Sequence, residues 1–170
     1  MAYRGTLSVL RAVVVMVVLA SAVPAAAQLQ ATYAEVANAS GPVEILRRGQ
    51  TQWVAAASGA RLVEGDQIRA LAKGTAELTL ADRSTIFVAE NTRFAIVKLE
   101  HDAQSGARNS AFHLVVGKVR AEVTRASLQL VRTRQSNFTI STPLGVAAVR
   151  GTIMVVTYTP DTAAPPTQTP

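Results

Sequence analysis

The sequence predicts one all-β domain of many short strands, a sandwich or roll with solenoid-like character, between an N-terminal signal peptide and a disordered C-terminal tail. Three observations predict it. Turn residues recur at short intervals, at Gly59, Gly65-Asp66, Gly74, Asp82-Arg83-Ser84, Asn91, Gly106 and Gly117. Between them apolar and polar residues alternate with the period of two that puts successive side chains on opposite faces of a strand. Val, Ile, Thr and Ala are abundant while aromatic residues are 5% of the chain, a composition suited to short strands.

Residues 1–27 have the parts of a secretory signal: basic Arg4 and Arg11, an apolar run from Ala12 to Ala20, and small Ala25 and Ala27 flanking an expected cut before Gln28. The run falls short of the ~20 residues that cross a bilayer, and Pro24 breaks the segment after it, so no transmembrane helix is expected in the mature chain. Cleavage leaves 143 residues, enough for one domain with a core of its own. Residues 28–40 are small and polar without a clear period and are expected to be a lead-in that pairs at an edge or stays loose.

The domain is expected over residues 41–157. Gly41-Pro42 breaks the chain before Val43-Glu44-Ile45-Leu46, and Arg48-Gly49-Gln50 turns into Thr51-Gln52-Trp53-Val54. Ala76, Leu78 and Leu80 share one face, as do Phe112, Leu114 and Val116, and then Val119, Ala121 and Val123. The predicted core is Leu78, Leu80, Ile86, Phe112, Leu114, Phe138 and Ile140, with Trp53 partly enclosed. Gly117-Lys118 suits a two-residue hairpin with positive φ at the glycine, and a bent continuous strand is the alternative. Pro160, Pro165, Pro166 and Pro170 among Thr, Ala and Gln mark residues 158–170 as a disordered tail.

Charge is unevenly placed. Residues 28–100 carry eight basic and eight acidic side chains, whereas residues 101–151 carry Arg108, Lys118, Arg120, Arg125, Arg132, Arg134 and Arg150 against Asp102 and Glu122, a local balance of +5. Such a lobe concentrates anionic partners, and the bland alternative is a set of solvated strand faces. Arg120 is expected to point outward by alternation. Arg132 and Arg134 share a parity, so the three form a candidate site for an anionic partner if their strands are neighbours. The chain has no cysteine, which excludes thiolate chemistry and cysteine-ligated zinc.

Leu62-Val63-Glu64-Gly65-Asp66-Gln67-Ile68, Leu78 to Ile86, Gly117-Lys118-Val119, Phe138-Thr139-Ile140-Ser141-Thr142-Pro143 and Val149-Arg150-Gly151-Thr152 occur in the order seen in the FecR domain. From about Gly41 to Thr157 the chain resembles that family. Where the family usually has Asp-Gly-Ser, this chain has Asp82-Arg83-Ser84, which implies a different turn or a strained Arg83. The family's signalling members combine a cytoplasmic segment that holds a sigma factor, one membrane helix and this domain outside. A signal peptide here stands in place of the first two parts, so the resemblance implies the module and its periplasmic or secreted location without the signalling output.

The polar candidates for chemistry are His101, His113, Asp66, Asp82, Asp102 and Ser105. Glu100 to Arg108 reads as a loop, His113 as a solvent-facing strand residue, and Asp66 and Asp82 as turn carboxylates that accept backbone hydrogen bonds. No catalytic site, cofactor or metal is expected. Arg150, between two apolar runs, must reach the surface or be paired, and is read first as a structural arginine. Some signalling members of the family are cut at a Gly-Thr bond, so Gly151-Thr152 carries a self-cleavage reading, against which a glycine bulge within a strand is preferred. The expected function is an exported, non-catalytic binding module at the bacterial cell envelope. Its expected partner is an envelope protein or an anionic polysaccharide or lipid surface, with no nucleic acid. The alternative is an accessory in receptor-to-sigma-factor signalling that acts through a separate membrane regulator.

Overall fold

Alternating segments become strands wherever a Gly, Asn or Asp between them lets the chain reverse. The computed structural model describes residues 28–126, 136–149 and 151–160. Among them it has no helix, hence none long and apolar enough to cross a membrane. The strands are β1 (Gln30–Ala31), β2 (Ala34–Ser40), β3 (Val43–Leu46), β4 (Trp53–Ala55), β5 (Arg61–Leu62), β6 (Gln67–Ala70), β7 (Thr75–Leu80), β8 (Thr85–Val88), β9 (Thr92–His101), β10 (Arg108–Glu122), β11 (Ser136–Thr142), β12 (Gly145–Ala148) and β13 (Ile153–Tyr158). They form one sheet in the order β4-β3-β6-β9-β10-β8-β7-β2-β5, with β1, β11, β12 and β13 branching from it. Every pairing is antiparallel except β10 with β11.

Strand β10 joins the two halves of this sheet. Its first part pairs with β9 and β11, and from Gly117 onward it pairs with β13, joined by β8 from Val119. Gly117 sits at the change with φ +102°, beside a register shift between Leu114 and Val116. A Cβ there would lie 2.5 Å from Thr92 Cα and 2.7 Å from Asn91 O, and would also strike Thr92 Oγ1. The inserted residue of a bulge bends a strand and increases its twist, and only glycine tolerates both this φ and this approach. Gly117-Lys118 is therefore the bend of a continuous strand and not a hairpin. The curl is large. The Arg108 guanidinium donates to Thr124 O at 2.7 Å, although sixteen straight strand residues would span roughly 50 Å.

Curling brings the apolar faces of both halves into one core. Leu78, Leu80, Ile86, Phe112, Leu114, Phe138 and Ile140 are all buried, together with Ile45, Ile68, Phe94 and Val119. Phe94 and Phe112 stack with ring centroids 5.2 Å apart, and Phe138 follows 5.3 Å from Phe112, so one aromatic row runs across β9, β10 and β11. Each such side chain contributes on the order of 1.5–3 kcal/mol by leaving water. Trp53 is half-buried beneath the Arg69 guanidinium, 4.2 Å from its ring centroid.

Residues 34–40 are not a loose lead-in. Strand β2 lies between β7 and β5, and Ala34 and Val36 are fully buried. The preceding β1 adds to the edge of β9. Small apolar residues in a short alternation give a weak local signal, and the burial of β2 comes from partners more than twenty residues away.

Candidate functional site

Strand β7 reaches β8 through Ala81 to Ser84, where Leu80 N donates to Ser84 O and Arg83 N to Leu80 O, each at 2.9 Å, closing a three-residue loop at Ala81-Asp82-Arg83. Such loops place their third residue in the left-handed region, and Arg83 has φ +65°. The strained arginine anticipated at the Asp82-Arg83-Ser84 departure is present. Asp82 accepts from Ser84 N at 2.9 Å and from the Ser84 hydroxyl at 2.8 Å, as expected of a turn carboxylate.

Asp82 also receives Arg108 Nη1 in an ion pair whose side chains are 8% and 3% exposed. Arg108 Nη1 lies 3.3 Å from Ser84 Oγ, and Thr124 N donates to that same hydroxyl at 3.0 Å. The β7–β8 loop, the start of β10 and the residues beyond its end are thus tied at one point. Desolvating two charges is costly and these hydrogen bonds offset the cost, although Arg108 Nε has no acceptor. Arg108 is therefore no part of an exposed basic lobe. Its parity with Phe112 and Leu114 was the one sequence signal of its burial.

Beside the pair opens a cleft of about 450 Å³ lined by Asp82, Arg83, His101, Ser105, Arg108 and Arg125, among others. A second hollow of about 390 Å³ meets it at Arg83 and Thr124 and is bordered by Glu77 and Glu122. The 102–107 loop forms one wall. Asp102 accepts from the Ser105 hydroxyl at 2.8 Å and from Gln104 N at 2.9 Å, and these bonds, led by the hydroxyl, hold its carboxyl below the ordinary value. The Ser105 proton thus points at a carboxylate rather than at His101, and its oxygen accepts from Ala107 N at 3.1 Å. This is turn chemistry.

Gly151 borders Arg125. Its φ is +76°, and a Cβ there would lie 2.8 Å from both Arg125 Cα and Cγ, so a side chain has no room. Gly151 and Thr152 form the bend that leads into β13, outside any strand, and Thr152 O accepts from Val123 N at 3.0 Å. Arg150, Arg132 and Arg134 lie outside the described residues.

Arg120 projects outward as alternation requires, half exposed, with Nη2 3.6 Å from Glu122 Oε2. Its cross-strand neighbours are Phe87 on β8 and Val155 on β13, both exposed. His113 lies on the face opposite Phe112 and Leu114, half-buried beside Ser141, its cross-strand neighbour on parallel β11. The Ser141 hydroxyl donates to Phe112 O at 2.9 Å, which makes His113 Nδ1, also 2.9 Å away, the donor to Ser141 Oγ. Asp66 is buried and accepts from Arg48 N, Val63 N and Arg47 Nη1 at 2.8, 3.1 and 2.8 Å, anchoring its turn.

Comparison with curated proteins and with solved structures returned no match. The family model described as FecR protein matches residues 66–164, more than half of the chain. The match opens at the buried turn carboxylate Asp66, and strands β1 to β5, ahead of it, pair with strands inside it or with one another. It takes in the Asp82–Arg108 pair, the cleft and the Gly151 bend, and the chain therefore belongs to the FecR protein family.

Proposed function

We propose that the chain is an exported, non-catalytic FecR module that binds an anionic partner at the bacterial cell envelope. The carrying observation is which cations of the basic half are exposed. Arg108 is neutralised inside the fold by Asp82, whereas Lys118, Arg125 and Arg120, the last beside exposed Glu122, stand at the surface. Exposed cations of one sign draw anionic surfaces over a Debye length of ~8 Å at physiological salt. The polar side chains of the cleft wall are engaged in turn hydrogen bonds, which favours binding over catalysis as the role of this half.

Retention on an anionic polysaccharide matrix tests the reading. The chain recovered from the envelope fraction of a host that exports it, beginning at Gln28, is expected to be retained weakly and released by salt. Reversing charge at Arg120, Arg132 and Arg134 together is expected to reduce retention without lowering the thermal midpoint. Equal retention of the triple variant at low salt makes these arginines a solvated surface, and a chain that stays in the cytoplasm with residues 1–27 intact removes the envelope location.

A further inference from the structure

We propose that the cleft between the β7–β8 loop and the 102–107 loop is a binding site for a phosphate monoester group, held by Arg83 and Arg125. The inference rests on the envelope-binding reading and names a ligand group for it.

The charge balance of the cleft favours a dianion. The ionisable groups lining it are Asp82, Arg83, His101, Arg108 and Arg125. Asp82 is committed to Arg108, so two guanidiniums remain, and among the described residues no carboxylate lies within ion-pair distance of either. Glu77 and Glu122 line the adjoining hollow together with Arg83, neither within ion-pair distance of it. A phosphate monoester carries a charge of about −1.5 to −2 near neutral pH, which matches two guanidiniums where a single carboxylate does not. The planar forks of arginine suit its oxygens.

Donor balance points the same way. The oxygens of Asp82 are occupied by Ser84 and Arg108. The exposed guanidiniums of Arg83 and Arg125 line the cleft and carry donors only. The cleft therefore offers donors and little acceptor capacity, which favours an oxyanion and disfavours a cation. Among the described residues no Phe, Tyr or Trp lines it, so they offer a sugar ring no stacking platform, and recognition falls to the charged group.

Arg83 supplies the independent observation. An L side chain at φ +65° carries a conformational cost that glycine avoids. No hydrogen bond or ion pair of the described structure uses the Arg83 side chain in return. The loop sets the backbone of Arg83, but the fold makes no use of its side chain, which stands where the two hollows meet and is available to a ligand.

The test is titration of the full exported chain, followed by amide and arginine side-chain NMR, with inorganic phosphate, a hexose 6-phosphate and vesicles containing phosphatidic acid. Galacturonate serves as the monoanion control. One-to-one saturation with shifts confined to Arg83, His101, Ser105 and Arg125 is expected. At least one phosphate probe should bind about tenfold or more tighter than galacturonate, a difference of about 1.4 kcal/mol. Whichever phosphate probe binds tightest supports the site and identifies its source: free phosphate, a phosphosugar or a lipid headgroup. Arg83→Gly and Arg125→Gln should each weaken binding about tenfold without lowering the thermal midpoint.

Absence of saturation by every phosphate probe up to about 10 mM, above the ~1 mM scale of weak contacts, overturns the site. So does equal or tighter binding of galacturonate, or unchanged binding by Arg83→Gly. If the cleft fails while the parent is still retained on an anionic matrix, this inference falls and the envelope reading stands. If phosphate saturates the cleft while matrix retention is absent, the envelope reading falls instead.

Discussion

Removing Asp82 should destabilise this fold far more than removing a surface carboxylate, because its partner Arg108 cannot reach water. With both side chains at least nine-tenths enclosed, Asp82→Ala leaves Arg108 charged and buried, with only Thr124 O and the Ser84 hydroxyl within hydrogen-bond reach. Breaking a buried pair from one side costs about 3–5 kcal/mol, a large part of the 5–15 kcal/mol that stabilises a typical domain. Arg108→Met leaves Asp82 its two bonds from Ser84 and should cost less, about 2–3 kcal/mol. The double variant Asp82→Ala/Arg108→Met removes both charges. It should therefore be about 2 kcal/mol or more better than the sum of the singles, since neither ion is left alone. Equilibrium urea unfolding of the parent, both singles and the double, compared at constant m-value, measures this coupling. Additivity within about 0.5 kcal/mol would refute the reasoning, because it would mean that each charge is solvated independently of the other.

Other consequences are equally direct. Gly117→Ala should cost about 3 kcal/mol or more, from a disfavoured φ and from contact with the backbone of Asn91 and Thr92; denaturant unfolding that shows a loss below about 1 kcal/mol would mean that β10 bends freely. Leu80→Ala, at a buried position of β7, should cost about 2–5 kcal/mol, and a thermal midpoint equal to the parent's would place that side chain on the wrong face. Arg83→Gly should leave stability level or raise it by up to about 1 kcal/mol, since relief of about 1–2 kcal/mol of left-handed strain is opposed by about 0.4–1 kcal/mol of unfolded-chain entropy. A clear loss would show that the Arg83 side chain supports the fold.

The sequence by itself determined the strand content, the faces and the family. Leu78, Leu80, Ile86, Phe112, Leu114, Phe138 and Ile140 were legible as core because the period of two is a local property, written by neighbours in the chain. The strained Arg83 was legible too, because a three-residue loop dictates backbone φ within a few residues. Strand β2 was not, since Ala34 and Val36 owe their burial to distant β5 and β7. Nor could alternation decide what happens at Gly117. The buried set changes from even to odd numbers there, and a two-residue hairpin and a one-residue bulge both change parity in that way. Only the tertiary structure decided for the bulge, by giving the two parts of β10 different neighbours. The same curl sets Arg108 against Asp82 and Thr124, and it places Arg83, His101 and Arg125 around one cleft. Residues this far apart in sequence meet through the sum of every bend between them, and no local pattern records that sum.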